Sequence, residues 1–408
     1  MKHLNSISRW LLCVVVIMAI GFTGRTAAAW QVYDSGDAAF LNIEYQVQLR
    51  EAWRDMGSGP NGDKPTTDTY LRRDRLSFLG MFNDTFGGAV QFEYNGGRKI
   101  NDLSVSPHDS DLELTLLDAY GTATVSNALQ FRVGKTKQVL TREIQEGCFD
   151  PLSSDRSNFI LGPFTQDAIN RNKTTRDNGV AALGNLFGDV FQYRLAVMEG
   201  NKNNYSGIAK TAPDNAGYRY TGRMHVSLLD PETGWGYRGS YLGKKKVLTL
   251  GAGYETESNA VLRDSAPTTT EGSNYTAYTL DAFYEQPTDH GIYTLSGGYL
   301  KADFDGAGTR GVVGATEVNG EKNGGYWKAA YMLGKVQVFG RYEKWSFANL
   351  NGVLGQVITY TSEGVNYYIK GQDLRLTLEV SQTGFGTRPN PTVDPNFQTV
   401  IAQFQARF

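Results

Sequence analysis

The chain has 408 residues, 40% of them hydrophobic and 20% charged, with a formal net charge of −2 and a mean hydropathy of −0.38. An acidic balance excludes a protein that coats a polyanion, so nucleic acid is not an expected partner. No stretch beyond the amino terminus approaches the ~18 consecutive apolar residues of a membrane-spanning helix.

The amino terminus reads as a secretory signal over residues 1–29. Lys2 and Arg9 give it a basic start, an apolar run covers 11–20, and Ala27-Ala28-Ala29 offers a small-residue cleavage site before Trp30. Its basic residues are Lys2, Arg9 and Arg25, without an acidic one, so its removal makes the chain more acidic still. It also removes Cys13, which leaves Cys148 without an intrachain partner, and there is no Cys-x-x-Cys-His for haem attachment. His108, His225 and His290 are scattered, so neither a metal cluster nor a cofactor is expected.

Alternating apolar and polar residues then recur across 30–408, read as one domain. Strands are expected at 40–53, 70–82, 88–95, 111–121, 128–137, 178–187, 190–198 and 217–229. The second half supplies 247–255, 275–285, 291–303, 325–333, 336–347, 364–370, 373–383 and 397–408. Short turns such as Asn83-Asp84, Gly188-Asp189 and Gly334-Lys335 alternate with long polar connections at 57–67, 201–215, 264–274 and 384–396. The expected fold is all-β: a transmembrane antiparallel β-barrel of about 16 strands with long external loops. A further hairpin inside 235–246 would make it about 18. In a barrel every second residue meets water inside, which reconciles the low hydropathy with a membrane span.

The last strand carries Val400, Ala402, Phe404, Ala406 and Phe408 on one face and Thr399, Gln403, Gln405 and Arg407 on the other. A naked aromatic terminus suits a strand paired on both sides with its apolar face in lipid. The longest connection, 138–175, far exceeds what joining two neighbouring strands requires, and it is expected to fold inward and narrow the pore.

Sorting faces places Arg50, Arg73, Arg75, Arg132, Arg194, Arg219, Arg223, Lys328, Arg341, Lys370, Arg375 and Arg407 in the lumen. The acidic set there is Glu44, Glu93, Glu113, Asp281, Glu343, Asp373 and Glu379. This favours anions over cations. The same side chains can instead cross-brace the wall as salt bridges. The charge of 138–175 is mixed: Arg142, Arg156, Arg171 and Lys173 stand against Glu143, Glu146, Asp150, Asp155 and Asp167. Trp53, Tyr70, Tyr94, Tyr205, Tyr254, Tyr299, Trp327, Trp345 and Tyr360 suit the membrane interfaces or ordinary sheet packing. Cys148 is either a thiol at the pore mouth or incidental. His225 and Ser227 share a face, but without an identifiable acid partner no enzyme is expected.

Several short motifs resemble the phosphate-selective porin O and P family of outer-membrane channels. They are Tyr70-Leu71-Arg72-Arg73-Asp74-Arg75-Leu76, Phe131-Arg132-Val133-Gly134-Lys135-Thr136-Lys137, Arg176-Asp177-Asn178-Gly179-Val180, Tyr193-Arg194-Leu195-Ala196-Val197 and Tyr220-Thr221-Gly222-Arg223, together with the Phe-terminated last strand. The resemblance implies a homotrimer of 16-stranded barrels in a Gram-negative outer membrane, in contact with lipid and lipopolysaccharide. Each barrel would pass small inorganic anions such as phosphate along arginine and lysine residues, here Arg73, Arg75, Arg132, Lys135, Lys137, Arg194 and Arg223. Arg219, Arg341 and Arg375 join them from the strand alternation. Similar porins serve selenite reduction systems or sheathe a multihaem cytochrome, so selenite is a second candidate solute and a cytochrome sleeve a second reading.

Overall fold

The computed structural model describes residues 30–34, 38–59, 61–95, 113–157, 175–200, 217–262, 272–303, 318–350, 353–386 and 396–408. The expected signal over 1–29, the polar connection at 201–215, and Asp167, Arg171 and Lys173 lie outside the described residues.

Seventeen strands are formed: β1 (Trp30–Asp34), β2 (Phe40–Ser58), β3 (Lys64–Met81), β4 (Phe86–Asn95), β5 (Glu113–Ser126), β6 (Leu129–Lys137), β7 (Arg176–Leu186), β8 (Phe191–Met198) and β9 (Arg219–Ser227). The second half holds β10 (Val247–Leu262), β11 (Gly272–Thr288), β12 (Gly291–Asp303), β13 (Val318–Leu333), β14 (Val336–Leu350), β15 (Val353–Lys370), β16 (Leu374–Phe385) and β17 (Phe397–Arg407). From β2 onward each strand pairs antiparallel with the next, and β17 returns to β2 with Thr399 opposite Arg54 and Arg407 opposite Gln46. Sixteen strands thus close a barrel and leave no open edge.

The terminal residue belongs to that closure. The Phe408 amide donates to the Tyr45 carbonyl at 2.9 Å, the Tyr45 amide donates back at 3.1 Å, and the two rings stack 6.3 Å apart. The seventeenth strand, β1, pairs with the start of β2, Trp30 opposite Ile43, where β17 no longer reaches. Sequence reading had no strand there, because five residues carry too little alternation to register.

Burial is inverted relative to a soluble sheet. On β9, Arg219 is 0% exposed and Tyr220 is 54% exposed. Outward faces carry Leu195, Met224, Leu250, Leu280, Leu295 and Trp327, all solvent-facing in isolation, which is the surface a bilayer covers. A charge on that face at mid-bilayer costs about 2–4 kcal/mol, and this holds the register. Tyr254, Tyr299 and Trp327 face outward as expected of interface aromatics, but Tyr70, Trp345 and Tyr360 are buried inside the barrel. No helix among the described residues is long and apolar enough to cross a membrane.

The expected inward fold of 138–175 is realised over its described part. Residues 138–157, with the one-turn helix α1 (Arg142–Gln145), run across the lumen. Thr141 starts the turn, its Oγ1 accepting from the Ile144 amide at 3.1 Å. Leu140 and Ile144 then pack on the inner wall against Tyr275, Leu300, Tyr326, Trp345 and Phe347.

The second crossing corrects the 18-strand alternative. After Ser227 the β9–β10 ladder continues only through Leu228 N to Leu248 O and Asp230 N to Lys246 O, both 2.8 Å. The rest of 228–246 turns into the lumen from the end that otherwise carries short turns, instead of forming a hairpin. It meets the first segment through Tyr237 N to Gln145 O (3.2 Å), Gly147 N to Tyr237 O (3.0 Å) and Gly239 N to Asp150 O (2.9 Å). Gly239 is required at the crossing, since a Cβ there would sit 2.5 Å from the Leu152 nitrogen.

Candidate pore constriction

The first segment is fastened to the wall by groups of both kinds. Gln48 holds the Cys148 carbonyl (3.1 Å), Gln405 that of Phe149 (2.7 Å), Arg375 that of Pro151 (2.7 Å) and Asn366 that of Leu152 (2.8 Å). Glu379 accepts the Ser154 amide at 2.8 Å, and Lys328 pairs with Glu143 at 2.7 Å. Asp155 lies among Arg50 (3.3 Å), Arg72 (2.7 Å) and Arg73 (2.8 Å). Burial alone would raise its carboxyl, but these guanidinium groups hold it well below the usual carboxylate range.

The second segment is fastened by Arg142, whose guanidinium makes a two-pronged bond to Glu232 at 2.7 and 2.8 Å. Glu232 would rise on burial, yet Arg142 and the hydroxyls of Tyr241 and Thr249 hold it down to about 2. Its contribution to stability is therefore complete above its ordinary pKa of 4.5 and is lost as pH falls through about 2. Arg194 grips the same segment through the Trp235 and Gly234 carbonyls, both 2.9 Å. His225, which sequence reading placed beside Ser227, instead bonds the Tyr237 hydroxyl at 2.6 Å.

Glu146 behaves in the opposite sense. It is buried where the two segments meet, its Oε1 has no hydrogen-bond partner among the described residues, and burial together with the Glu143 charge raises its carboxyl to about 8. The folded state holds this proton more tightly than the unfolded chain, so stability falls as pH rises from 4.5 through about 8. Glu146→Gln should remove that loss: denaturation of the refolded protein at pH 6 and pH 9 should show a drop in the parent and none in the variant.

Between the inward segments and the wall of β17 and β2–β7 remains a cavity, the candidate passage, with a volume of about 230 Å³. It extends from Lys137 and Arg176, at the long-loop ends of β6 and β7, to Gln46 and Arg407 beside the chain terminus. Arg75, Arg132, Asp118, Tyr120, Cys148, Phe149, Asp150 and Trp235 also line it. Burial would raise the Cys148 thiol, but Arg156, Arg75, Arg73 and Lys137 hold it well below the ordinary thiol value.

The ten residues singled out from sequence now separate by partner. Arg73 with Asp155, Arg75 with Glu93, Arg219 with Glu257 (2.7 Å), Arg223 with Asp281 (2.6 Å) and Arg341 with Glu343 form ion pairs. Arg194 and Arg375 hold backbone carbonyls of the inward segments. Lys135 donates to the Leu116 carbonyl and does not line the passage. Lys137 lines it and donates to the Glu146 carbonyl at 3.0 Å. Arg132 lines it with no carboxylate against it among the described residues; its guanidinium lies over the rings of Tyr120 at 4.5 Å and Trp235 at 4.4 Å, and its Nε makes no hydrogen bond. Cross-bracing therefore accounts for half of the ten.

Sequence reading quoted Arg176, which lies 3.0 Å from Asp118, only within a motif and gave it no lumen role, because it precedes the strand expected at 178–187. It missed Trp235 because 228–246 has no periodicity. The available signal was length: every other described connection at that end has only a few residues.

This closed 16-strand barrel is shared with outer-membrane channels of known structure. Over 93% of this chain and 100% of the other, it superposes on OmpF of Salmonella typhi, crystallised with daunomycin, with a TM-score of 0.60 and 14% identity. An anion-selective porin from Comamonas acidovorans covers 91% of this chain over its whole length, with a TM-score of 0.58 and 10% identity. The channel DcaP of Acinetobacter baumannii covers 93% of this chain and 99% of its own, with a TM-score of 0.55 and 14% identity. The barrel has a porin fold. No protein-family model and no curated protein matches the sequence.

Proposed function

We propose that this protein is a porin of a Gram-negative outer membrane through which small anions diffuse passively. One observation carries the reading: among the described residues each carboxylate along the passage is already answered by a cation, whereas Arg132 has no carboxylate partner. Asp118 binds Arg176 and Asp150 lies 3.8 Å from Arg407. A permeating cation thus finds the carboxylates already paired, while an anion finds the Arg132 guanidinium in a narrow space of low dielectric. Guanidinium and ammonium donors replace part of the anion's hydration without trapping it. The similarity to an anion-selective porin is in keeping with this.

Phosphate-like oxyanions and selenite remain the candidate solutes on the motif resemblance. A sleeve around a cytochrome is disfavoured, because the chain's own segments fill the lumen and the residual volume is too small for a folded haem domain.

Assembly with copies of itself is supported by the outer surface. Glu363, mid-way along β15, points outward with Thr361, and Gln382 and Gln398 continue the polar patch across β16 and β17. Contact with a neighbouring barrel would spare this patch from lipid. The remaining apolar band meets lipid and lipopolysaccharide.

Proteoliposomes carrying the protein should release trapped phosphate and selenite faster than organic ammonium cations of similar size. Equal release of both, or retention of both, contradicts the proposal.

A further inference from the structure

We propose that the passage contains a binding site for aromatic carboxylates centred on Arg132, a ligand class that rests on the anion-channel reading above and narrows it. Three observations converge on it. The first is the vacancy in hydrogen bonding at Arg132, whose buried Nε has no partner and whose guanidinium has no carboxylate against it among the described residues. A charged donor left in that condition is costly, and an arriving acceptor relieves the cost.

The second is orientation. The guanidinium carbon lies over the rings of Tyr120 and Trp235, at 4.5 and 4.4 Å from their centroids. Ring contacts of this kind offer no strong hydrogen-bond acceptor, so the in-plane N–H groups of the guanidinium stay available to one. An edge with parallel N–H groups matches the two oxygens of a carboxylate, in the fork geometry that makes arginine selective for planar anions.

The third is the surrounding surface. Tyr120, Phe149 and Trp235 all line the same passage, which is otherwise polar. A small hydrated oxyanion such as phosphate or selenite can satisfy Arg132 but leaves these ring surfaces to water. A single-ring aryl carboxylate uses both, with its carboxylate on the guanidinium edge and its ring against the aromatic side chains. The volume of about 230 Å³ accommodates one such ring.

The test is block of chloride current through the purified full-length protein in a planar bilayer, with benzoate, acetate and phosphate added in turn. Benzoate should reach half-block at a concentration roughly tenfold below acetate and phosphate, the gain expected of one buried aromatic contact. Trp235→Leu should collapse the benzoate-to-acetate ratio toward one, and Arg132→Gln should raise the half-blocking concentration of every carboxylate. Tyr120→Leu provides the same readout if Trp235→Leu fails to refold. Phosphate blocking as tightly as benzoate, or a benzoate-to-acetate ratio that survives both aromatic substitutions, overturns the site while leaving the anion channel standing. A parent protein with no preference for chloride over potassium overturns both.

Discussion

Arg132→Glu should turn an anion-preferring channel into a cation-preferring one, whereas Arg223→Gln should leave the sign of the reversal potential as it is in the parent. The two arginines are indistinguishable by strand alternation, each on an inward face. Their surroundings separate them. Arg223 is bound by both oxygens of Asp281 at 2.6 and 2.8 Å and is buried, so its charge is cancelled before a permeating ion feels it. Arg132 lines the passage with no such partner among the described residues. At about 6 Å and an effective dielectric of 20, one unit charge changes an ion's energy by ~3 kcal/mol before screening. Inverting the charge should therefore move the permeability ratio by about tenfold or more even in salt. The cost of Arg223→Gln should appear elsewhere, as a loss of about 3–5 kcal/mol in stability from the stranded Asp281. Reversal potentials under a potassium chloride gradient and heat-dependent gel mobility measure the two effects separately.

Replacing 231–244 with two glycines should raise single-channel conductance several-fold and weaken selectivity. The ends to be joined are already close, since Asp230 N donates to Lys246 O at 2.8 Å. The removed residues include Trp235, Tyr237 and Glu232, which fill the lumen and hold the other crossing segment through Gln145 and Arg142. Their loss both widens the passage and loosens 138–157. A conductance equal to the parent's would mean that ions follow a route that this segment does not bound.

The barrel was legible in the sequence because its strands obey one physical constraint along their length. Lipid outside and polar contents inside force period-two alternation, and each of the sixteen expected strands has a counterpart among β2–β17. The inward fold of 138–157 was legible from length alone. What was not legible is how the lumen charges are spent. Alternation puts Arg73, Arg219 and Arg223 on the same footing as Arg132, and only three-dimensional proximity assigns them Asp155, Glu257 and Asp281. Asp155 is the clearest case, a carboxylate 82 residues from Arg73 that occupies the place an incoming anion would otherwise take. Likewise Tyr70, Trp345 and Tyr360 have interface chemistry but stand on inward faces, where Trp345 packs against Leu140 and Ile144 of the crossing segment, Tyr70 against Ala52 and Ile401 of the wall, and the Tyr360 hydroxyl donates to Glu379.

The most direct test of the central claim is the reversal potential of the unmodified protein, purified and refolded in detergent, in a planar bilayer separating concentrated from dilute potassium chloride. A potential with the sign of chloride permeation is predicted, because Arg132 lines the passage with no carboxylate partner among the described residues; a potential with the sign of potassium permeation would contradict the account.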